Sequence, residues 1–266
     1  MNAAIRPPVA LTIAGSDSGG GAGIQADLKT FHAFGVFGTS ALTAITAQNT
    51  LGVRAVHAVP PEIVEGQIRA VCDDLQPSSC KSGMLADTPI IEAVARTLID
   101  AAIPEYVLDP VMVATSGDRL LAESAVAALR TELIPLCTLV TPNIPETELL
   151  AGMAVENETG MRRAAERILD LGAPAVLIKG GHLPGAKVVD LLITPSGESV
   201  WRVDRLPAGN AHGTGCTLSA AIAAGLAAGH GLEASTDRAI GYTRRALETA
   251  PGLGSGATPL NHWALP

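Results

Sequence analysis

Short apolar runs of strand length alternate with longer helical segments along most of the chain. Each apolar run ends at a polar or Gly/Pro-containing loop, and these runs are Val9–Ala14, Tyr106–Leu108, Leu139–Thr141 and Val176–Ile178. Helical segments lie between or after them, at Ile24–Phe34, Ile90–Ala101, Ala122–Leu133, Gly160–Leu171 and Leu218–Ala228. This alternation predicts an α/β fold with a mostly parallel sheet. Ligands of such folds gather at the carboxyl ends of the strands, so polar residues just after each strand are the candidates for function.

Two segments depart from the alternation. Val36–Ala47 and Gly52–Val59 are rich in strand-forming residues with no helix between them, which predicts a protruding hairpin or lid over about residues 36–59. Val188–Ile193 and Ser199–Val203 flank a Pro-Ser-Gly turn and predict a second hairpin.

Composition limits the classes of protein that remain. The chain has 266 residues, 47% of them hydrophobic but only 3% aromatic, which predicts one large aliphatic core and a single domain over residues 1–266. The net charge is −8 and no basic run stands out, which argues against a nucleic-acid partner. The longest apolar stretch, Cys216–Ala228, is interrupted by polar residues and is too short to span a bilayer.

The cysteines favour a cytoplasmic protein with reduced thiols. Cys72, Cys80, Cys137 and Cys216 form no C-x-x-C pair and no zinc spacing. The first eight residues lack the charged and apolar regions of a secretory signal.

The segment Asn210–Ser219 carries the strongest chemical signal. Gly213, Thr214 and Gly215 lead into the apolar run that starts at Cys216. Such a junction offers unpaired backbone N–H groups and the positive end of a helix dipole, which stabilise a phosphate or a developing negative charge. A helix N-terminus also lowers the pKa of a thiol, so the cysteine is a candidate proton acceptor. The alternative is a Gly-rich turn before an amphipathic helix with a structural cysteine.

A second Gly-rich segment, Gly15–Asp27, follows the first strand. Its glycines allow a ligand to approach the backbone closely. It matches a dinucleotide fingerprint only weakly and lacks the Gly-Lys-Ser/Thr of a Walker A loop. A plain strand-to-helix turn is the alternative, in which Asp27 caps the helix or binds substrate.

Three further groups of polar residues follow strands. Asp109 is a candidate metal or phosphate residue, or a turn cap before a proline. Asn143 and Glu146 have capping-box spacing, which is compatible with Glu146 facing a hydrated Mg²⁺ beside nucleotide phosphates. Lys179 precedes two glycines and suits a phosphate contact. Lys81 has a similar setting, with an ordinary solvated lysine as the alternative.

Taken together, these segments resemble the ribokinase-like superfamily, and within it the hydroxymethylpyrimidine and hydroxymethylpyrimidine-phosphate kinases of thiamine biosynthesis. The resemblance runs from Leu11 to His262, and five motifs in order carry it: Ala14–Asp17 with Gly20–Asp27, Ala47–Thr50, Lys179–His182 and His212–Thr217. It implies a three-layer sandwich with a mostly parallel central sheet, helices on both faces and a small β lid.

The resemblance also implies roles for matching positions. The pyrimidine pocket would be lined by Gly15, Asp27, the backbone of Thr46 and the side chain of Gln48. Backbone amides of the segment Gly213, Thr214, Gly215 and Cys216 would form an anion hole, with Cys216 as the base. Nucleotide or phosphate contacts would come from Lys179, Asn143 and His212, and Mg²⁺ would be organised by Asp109 and Glu146.

The implied activity is transfer of a phosphoryl group from ATP, with Mg²⁺, to the hydroxymethylpyrimidine and then to its monophosphate. The resemblance further implies a homodimer. A pyridoxal or pyridoxine kinase and a non-catalytic module that binds pyrimidine or vitamin B6 are the alternatives. Two departures stand out: Ser18 replaces the usual proline, which predicts a looser Gly-rich turn, and Leu183–Val189 is short, which leaves nucleotide preference open.

Overall fold

A nine-stranded sheet forms the centre of the molecule. The computed structural model describes residues 6–112, 123–206 and 211–266. Within them the strands are ordered β3-β2-β1-β4-β5-β6-β7-β8-β9. Their bounds are β1 Val9–Ser16, β2 Phe37–Asn49, β3 Gly52–Ala58, β4 Ser79–Ser82, β5 Glu105–Leu108, β6 Leu139–Val140, β7 Val176–Lys179, β8 Lys187–Thr194 and β9 Gly197–Asp204.

The middle of this sheet is parallel and its two edges are antiparallel. β2, β1, β4, β5, β6 and β7 pair in parallel, β3 runs antiparallel to β2, and β8 and β9 continue antiparallel from β7. β5, β6 and β7 are short and mostly apolar, as is usual for parallel strands whose two faces are both covered. The carboxyl ends of the parallel strands consequently meet at one edge.

Helices cover both faces of the sheet. Their bounds are α1 Gly23–Ala33, α2 Pro61–Leu75, α3 Thr88–Ala101, α4 Glu123–Ala128, α5 Ile144–Ala151, α6 Glu158–Leu169, α7 Thr214–Ala227 and α8 Leu232–Glu248. One apolar core lies between the sheet and α2 to α6, and a second lies between the sheet and α1, α7 and α8. The predicted three-layer α/β fold is confirmed. The first residue of the helix predicted at Ala122–Leu133 lies outside the described residues. The observed helix α4 is followed by π and 3₁₀ turns that continue to Leu136.

The predicted lid of residues 36–59 needs a correction. Most of β2 is an ordinary member of the central sheet, because it pairs with β1 from Val9 opposite Phe37 to Ser16 opposite Ile45. The last residues of β2, with β3, extend past that pairing as a hairpin. The second predicted hairpin is confirmed as β8 and β9.

The C-terminal segment returns to the edge of the sheet where the parallel strands end. A two-stranded pairing joins β10, Ala211–His212, to β11, Thr258–Pro259. Among the described helices, none is both long enough and apolar enough to cross a membrane.

Candidate active site

A cavity of about 530 Å³ opens where the parallel strands end. Of the predicted site residues, all except Asp27 line it: Gly15, Thr46, Gln48, Asp109, Asn143, Glu146, Lys179, His212, Gly213, Thr214, Gly215 and Cys216. They come from β1, β2, α5, β7, β10 and α7 and from the loop after β5, so only the folded chain brings them together. The cavity therefore unites the two Gly-rich segments with the charged residues that follow the strands.

Asp17 organises the first Gly-rich loop. Its carboxylate accepts hydrogen bonds from the backbone N–H groups of Gly19, Gly21 and Ala22 at 2.8 to 3.0 Å. Burial raises the pKa of Asp17, but hydrogen bonds from His212 and the loop backbone outweigh burial, so the pKa is lowered and the group stays ionised. No role was predicted for Asp17, although an acid two residues before a glycine run is the signal for such a turn.

Ser18 fastens this loop to the hairpin. Its hydroxyl donates to the carbonyl oxygen of Gln48 at 2.7 Å and accepts from the Gln48 N–H at 2.8 Å. The predicted loosening of the Gly-rich turn by Ser18 is therefore wrong, because the hydroxyl supplies two contacts that a proline cannot make.

Gln48 presents its side-chain amide to the cavity. Thr46 Oγ1 donates to Gln48 Oε1 at 3.2 Å, and Gln48 Nε2 lies 2.8 Å from His212 Nε2. His212 Nε2 is also 3.2 Å from Asp17 Oδ2. His212, expected among the nucleotide contacts, thus lies at the same end of the cavity as Gln48. The amide can both donate and accept, which suits an aromatic ring bearing a nitrogen and an amino group.

The N-terminus of α7 faces the same cavity. Gly213 is the N-cap residue with φ +87°, and a Cβ there would lie 1.9 Å from the carbonyl oxygen of Gly21. Only glycine permits this approach, which brings the two Gly-rich segments together. The helix begins at Thr214, two residues before the predicted start at Cys216. Its first backbone N–H groups and the positive end of its dipole lie at the position where the sequence predicts anion binding.

Cys216 lies in the first turn of α7 and is partly exposed to the cavity. The expectation that the helix N-terminus lowers the pKa of this thiol is wrong. Burial raises the pKa, the charge of Lys81 lowers it, and Asp27 and Asp109 raise it, so that the net pKa is about 11. Desolvation of a thiolate outweighs the helix dipole here, so the resting group is the neutral thiol.

Two carboxylates and a lysine, Asp109, Glu146 and Lys179, form a second polar group in the lining of the cavity. Lys179 Nζ lies 2.9 Å from Asp109 Oδ1, and Ser219 Oγ donates to Asp109 Oδ2 at 3.2 Å. Burial raises the pKa of Asp109, but the charges of Lys179 and Lys81 lower it by more. Burial raises the pKa of Glu146 to about 7, even though Lys179 opposes this.

The predicted capping box is present. The Asn143 side chain accepts from the Glu146 N–H at 3.0 Å, and Glu146 Oε2 accepts from the Asn143 N–H at 2.8 Å. The cap fixes the Glu146 carboxylate on the cavity wall that also holds Asp109. Magnesium bound together with nucleotide phosphates takes one or two carboxylates from the protein, so this donor set fits the ion.

Asp27 lies away from the cavity, contrary to the role that the resemblance implies. It is fully buried, accepts from Thr12 Oγ1 at 2.6 Å, and binds Lys81 Nζ at 2.9 and 3.1 Å. Lys81 is also fully buried and does line the cavity, so the interpretation as a solvated lysine is wrong.

A second cavity of about 680 Å³ adjoins the first. The two share Lys179, Gly181, Ala211, Thr214 and Gly215, and the second is walled by β8, β9, α7 and α8. None of its other lining residues was predicted from the sequence.

Arg205 holds the loop that borders both cavities. This loop includes the start of the short segment Leu183–Val189. The guanidinium donates to the carbonyl oxygens of Gly181, Leu183 and Gly185. Gly181, which lines both cavities, is therefore fixed from the side of β9.

Solved structures share this architecture over nearly the whole chain. The pyridoxal kinase of Bacillus subtilis, in an ADP complex, superposes with a TM-score of 0.91 at 36% identity, covering 97% of this chain and 98% of that one. A phosphomethylpyrimidine kinase of Clostridium difficile 630 gives a TM-score of 0.81 at 44% identity, covering 90% and 98%. Fold and cavity together define a ribokinase-like small-molecule kinase.

Sequence comparison narrows the class. The family model described as phosphomethylpyrimidine kinase matches residues 17–261. A hydroxymethylpyrimidine/phosphomethylpyrimidine kinase of Rhizobium meliloti is 52% identical over 263 residues, covering 96% of this chain and 97% of the relative. The chain belongs to the phosphomethylpyrimidine kinase family.

Proposed function

We propose that this protein transfers the γ-phosphoryl group of ATP to the hydroxymethyl group of 4-amino-5-hydroxymethyl-2-methylpyrimidine, and then a second one to the monophosphate, in thiamine biosynthesis. One observation carries the proposal: the Gln48 amide and the glycine N-terminus of α7 face one cavity together with Asp109, Glu146 and Lys179. Family membership supports the same substrate class.

The end of the cavity near Gln48 suits the acceptor. The Gln48 amide, with Thr46 beside it, would pair with the ring nitrogen and amino group of the pyrimidine. Gly15 keeps this end open, because a Cβ at that position would lie 3.3 Å from Met84 Sδ. The hydroxymethyl group would then point toward Cys216 and the first turn of α7.

The second cavity suits the nucleotide, because it joins the first at Lys179 and at the N-terminus of α7. The phosphates would lie at the junction, where backbone N–H groups and the Lys179 ammonium group neutralise their charge. Asp109 and Glu146 would hold Mg²⁺ there, and the ion supplies charge neutralisation for the phosphates.

The reaction follows from positioning and charge stabilisation. The acceptor oxygen forms a bond to the γ-phosphorus while the bond to the β,γ-bridging oxygen breaks, and ADP leaves. The anion hole of α7 stabilises the equatorial oxygens. In the first transfer the hydroxyl proton must leave, and we assign its removal to the thiolate form of Cys216, after the thiol has released its own proton to solvent. In the second transfer the nucleophile is a phosphate that is largely dianionic near pH 7, so no base is needed.

Pyridoxal phosphorylation is the second candidate, favoured by the TM-score of 0.91 to a pyridoxal kinase. A mass-spectrometric time course with Mg·ATP and the hydroxymethylpyrimidine, run beside one with pyridoxal, tests both. We expect the pyrimidine monophosphate first and the diphosphate after it. Phosphorylation of pyridoxal alone would move the activity to vitamin B6, and no product in either reaction would favour the non-catalytic binding module.

We also propose a homodimer formed through the outer surface of β2 and β3. Ile45 is about half exposed and lies on the face of β2 opposite Thr46, which lines the cavity, and β3 is an edge strand with mostly exposed side chains. Sedimentation velocity should give a dimer for the native chain and a monomer for Ile45→Lys. An unchanged dimer in the variant would place the interface elsewhere.

We propose a cytoplasmic location, because the cysteines are free in the described parts of the chain and a reducing compartment keeps them so. Thiol titration of protein purified without reductant should find all four cysteines reduced.

A further inference from the structure

A fully buried ion pair lies beneath the cavity and has no role in the proposed reaction so far. Lys81 Nζ binds both carboxylate oxygens of Asp27, at 2.9 and 3.1 Å, and both side chains are 0% exposed. Desolvation makes such a pair a poor source of stability, because a well-packed apolar pair of the same volume is often as stable. A buried pair beside a cavity is therefore a candidate for function.

The two charges are not placed equally. Lys81 lines the cavity that Cys216 also lines, whereas Asp27 lies behind it on α1, where Thr12 Oγ1 holds its carboxylate. Gly83 makes room for the ammonium group, since a Cβ there would lie 2.9 Å from Lys81 Nζ. The pair is thus an oriented dipole whose positive end faces the cavity.

We propose that Lys81, held in place by Asp27, is a positioning residue that acts through Cys216 by stabilising negative charge on the thiol sulfur. In the first transfer the proton of the acceptor hydroxyl passes to the sulfur only after the thiol has released its own proton to solvent, and Lys81 stabilises the thiolate that remains. The assignment of this charge to catalysis rests on the proposed function, whereas the effect on the thiol does not.

The surrounding charges set the sign of the effect. Charged groups from four elements or their adjoining loops act on Cys216: Lys81, Asp27, Asp109 and Lys179. Burial raises the thiol pKa most, Lys81 is the strongest influence that lowers it, and Asp27 and Asp109 raise it. Removing the charge of Asp27 and removing the charge of Lys81 should consequently shift the pKa of the Cys216 thiol in opposite directions.

The test measures the alkylation rate of Cys216 by iodoacetamide at pH 8, followed by peptide mass spectrometry. Cys72, on α2 and half-buried, serves as the internal control in the same samples. The double variant Asp27→Asn/Lys81→Met removes both charges and leaves no unpaired buried ion. We expect its Cys216 to react about three- to tenfold more slowly, because thiolate is the reactive form and its fraction changes tenfold per pKa unit. Asp27→Asn alone should react faster, and Cys72 should not change.

Two results would overturn the proposal: equal rates in all three proteins, or slower Cys216 alkylation in both variants, which would indicate a purely structural pair. Thermal melts identify any variant that does not fold. The direction in which the Cys216 alkylation rate changes in the other variant then decides the test. In kinase assays the double variant should lose kcat for the first transfer while KM for ATP stays constant. If the native chain phosphorylates nothing, the proposed function fails, but the alkylation rates still decide the role of Lys81.

Discussion

At the scale of single residues, the substrate contact most open to test is Gln48. Replacing Gln48 with Leu keeps the size of the side chain but removes the amide that lies between Thr46 and His212. We expect KM for the pyrimidine to rise about tenfold, the value of one lost net hydrogen bond near 1.4 kcal/mol, while KM for ATP stays nearly constant. Steady-state kinetics with each substrate varied in turn make the measurement.

Gln67 provides the matched control for this prediction. Its amide binds the backbone of Leu42 outside the cavity, so Gln67→Leu should leave both KM values unchanged. If Gln48→Leu raised KM for ATP and not for the pyrimidine, the amide would belong to the nucleotide site.

Replacing Cys216 should affect the first phosphoryl transfer far more than the second. Cys216→Ala should lower kcat of the first transfer by about 10²-fold, within the range of general base catalysis, and change the second by less than about threefold. The second transfer needs no base because the acceptor is a phosphate. Each step is followed separately by mass spectrometry, starting from the alcohol or from the monophosphate, with Cys72→Ala as control. Equal losses in both steps would assign Cys216 to the anion hole or to packing.

Residue chemistry could be predicted better than residue environment. Some of the thirteen site positions came from residue types that follow strands, and others, such as Gln48, came from the family resemblance. Twelve of them line one cavity, because a parallel sheet brings the ends of its strands together. Burial was not readable in the same way. Cys216 has a raised pKa, Lys81 is fully buried and Asp27 lies behind the cavity, since desolvation depends on neighbours that are distant in sequence.

At the scale of elements, the proposed anion site depends on α7 and its N-cap glycine. Gly213 and Gly229 flank the two ends of this helix with similar φ values, +87° and +81°. A Cβ on Gly213 would lie 1.9 Å from the carbonyl oxygen of Gly21, whereas nothing lies within 4 Å of one on Gly229. The two glycines therefore form a matched pair. Substitution of either one strains the backbone, but only substitution of Gly213 also displaces the first Gly-rich loop.

Gly229→Ala should cost about 1 to 2 kcal/mol, the penalty of left-handed backbone for an L-residue, with kinase activity retained. Gly213→Ala carries the same penalty and in addition forces the two Gly-rich segments apart, so activity should fall at least about 10²-fold, the size of a lost anion-hole contact. Urea unfolding and initial rates provide the two readouts. Similar activity in both variants would show that the close approach is not required.

Elements bounded by clear turn residues could be predicted from the sequence, whereas elements defined by pairing with strands distant in sequence could not. The segment from β1 through the Gly-rich turn to α1 and the second hairpin appear within two residues of their predicted bounds. β2 was assigned to a lid because its sequence does not reveal that it pairs in parallel with β1. The β4 strand was not identified at all, since four residues containing a lysine and two serines give no apolar signal.

At the scale of the whole molecule, the scarcity of aromatic residues shapes the packing. α7 is almost entirely buried, and its alanines and glycine let it approach the sheet and α8 closely. A Cβ on Gly225 would lie 2.6 Å from Ser235 Oγ, so even the smallest side chain is excluded at that crossing. The helix that presents the anion site is thus held rigidly by the second core.

The C-terminal segment packs against the first part of α7 through His262. This residue is 9% exposed, and its Nε2 lies 3.0 Å from Thr217 Oγ1 in the first part of α7. Burial, together with the charge of Lys29, lowers the pKa of His262 to about 4. A positive charge near the N-terminus of a helix is also unfavourable. The folded protein consequently keeps this imidazole neutral at a pH where the unfolded chain protonates it.

The linkage predicts a loss of stability on mild acidification. The unfolded histidine titrates near pH 6.5, so between that pH and about 4 the unfolded state binds more protons than the folded state. Stability is therefore complete above pH 6.5 and falls as the pH drops, by about 2 kcal/mol from pH 7.5 to pH 5 for this group. Urea unfolding at the two pH values should show that decrease in the native chain and a correspondingly smaller one in His262→Asn. Equal decreases in both proteins would assign the acid sensitivity to other groups.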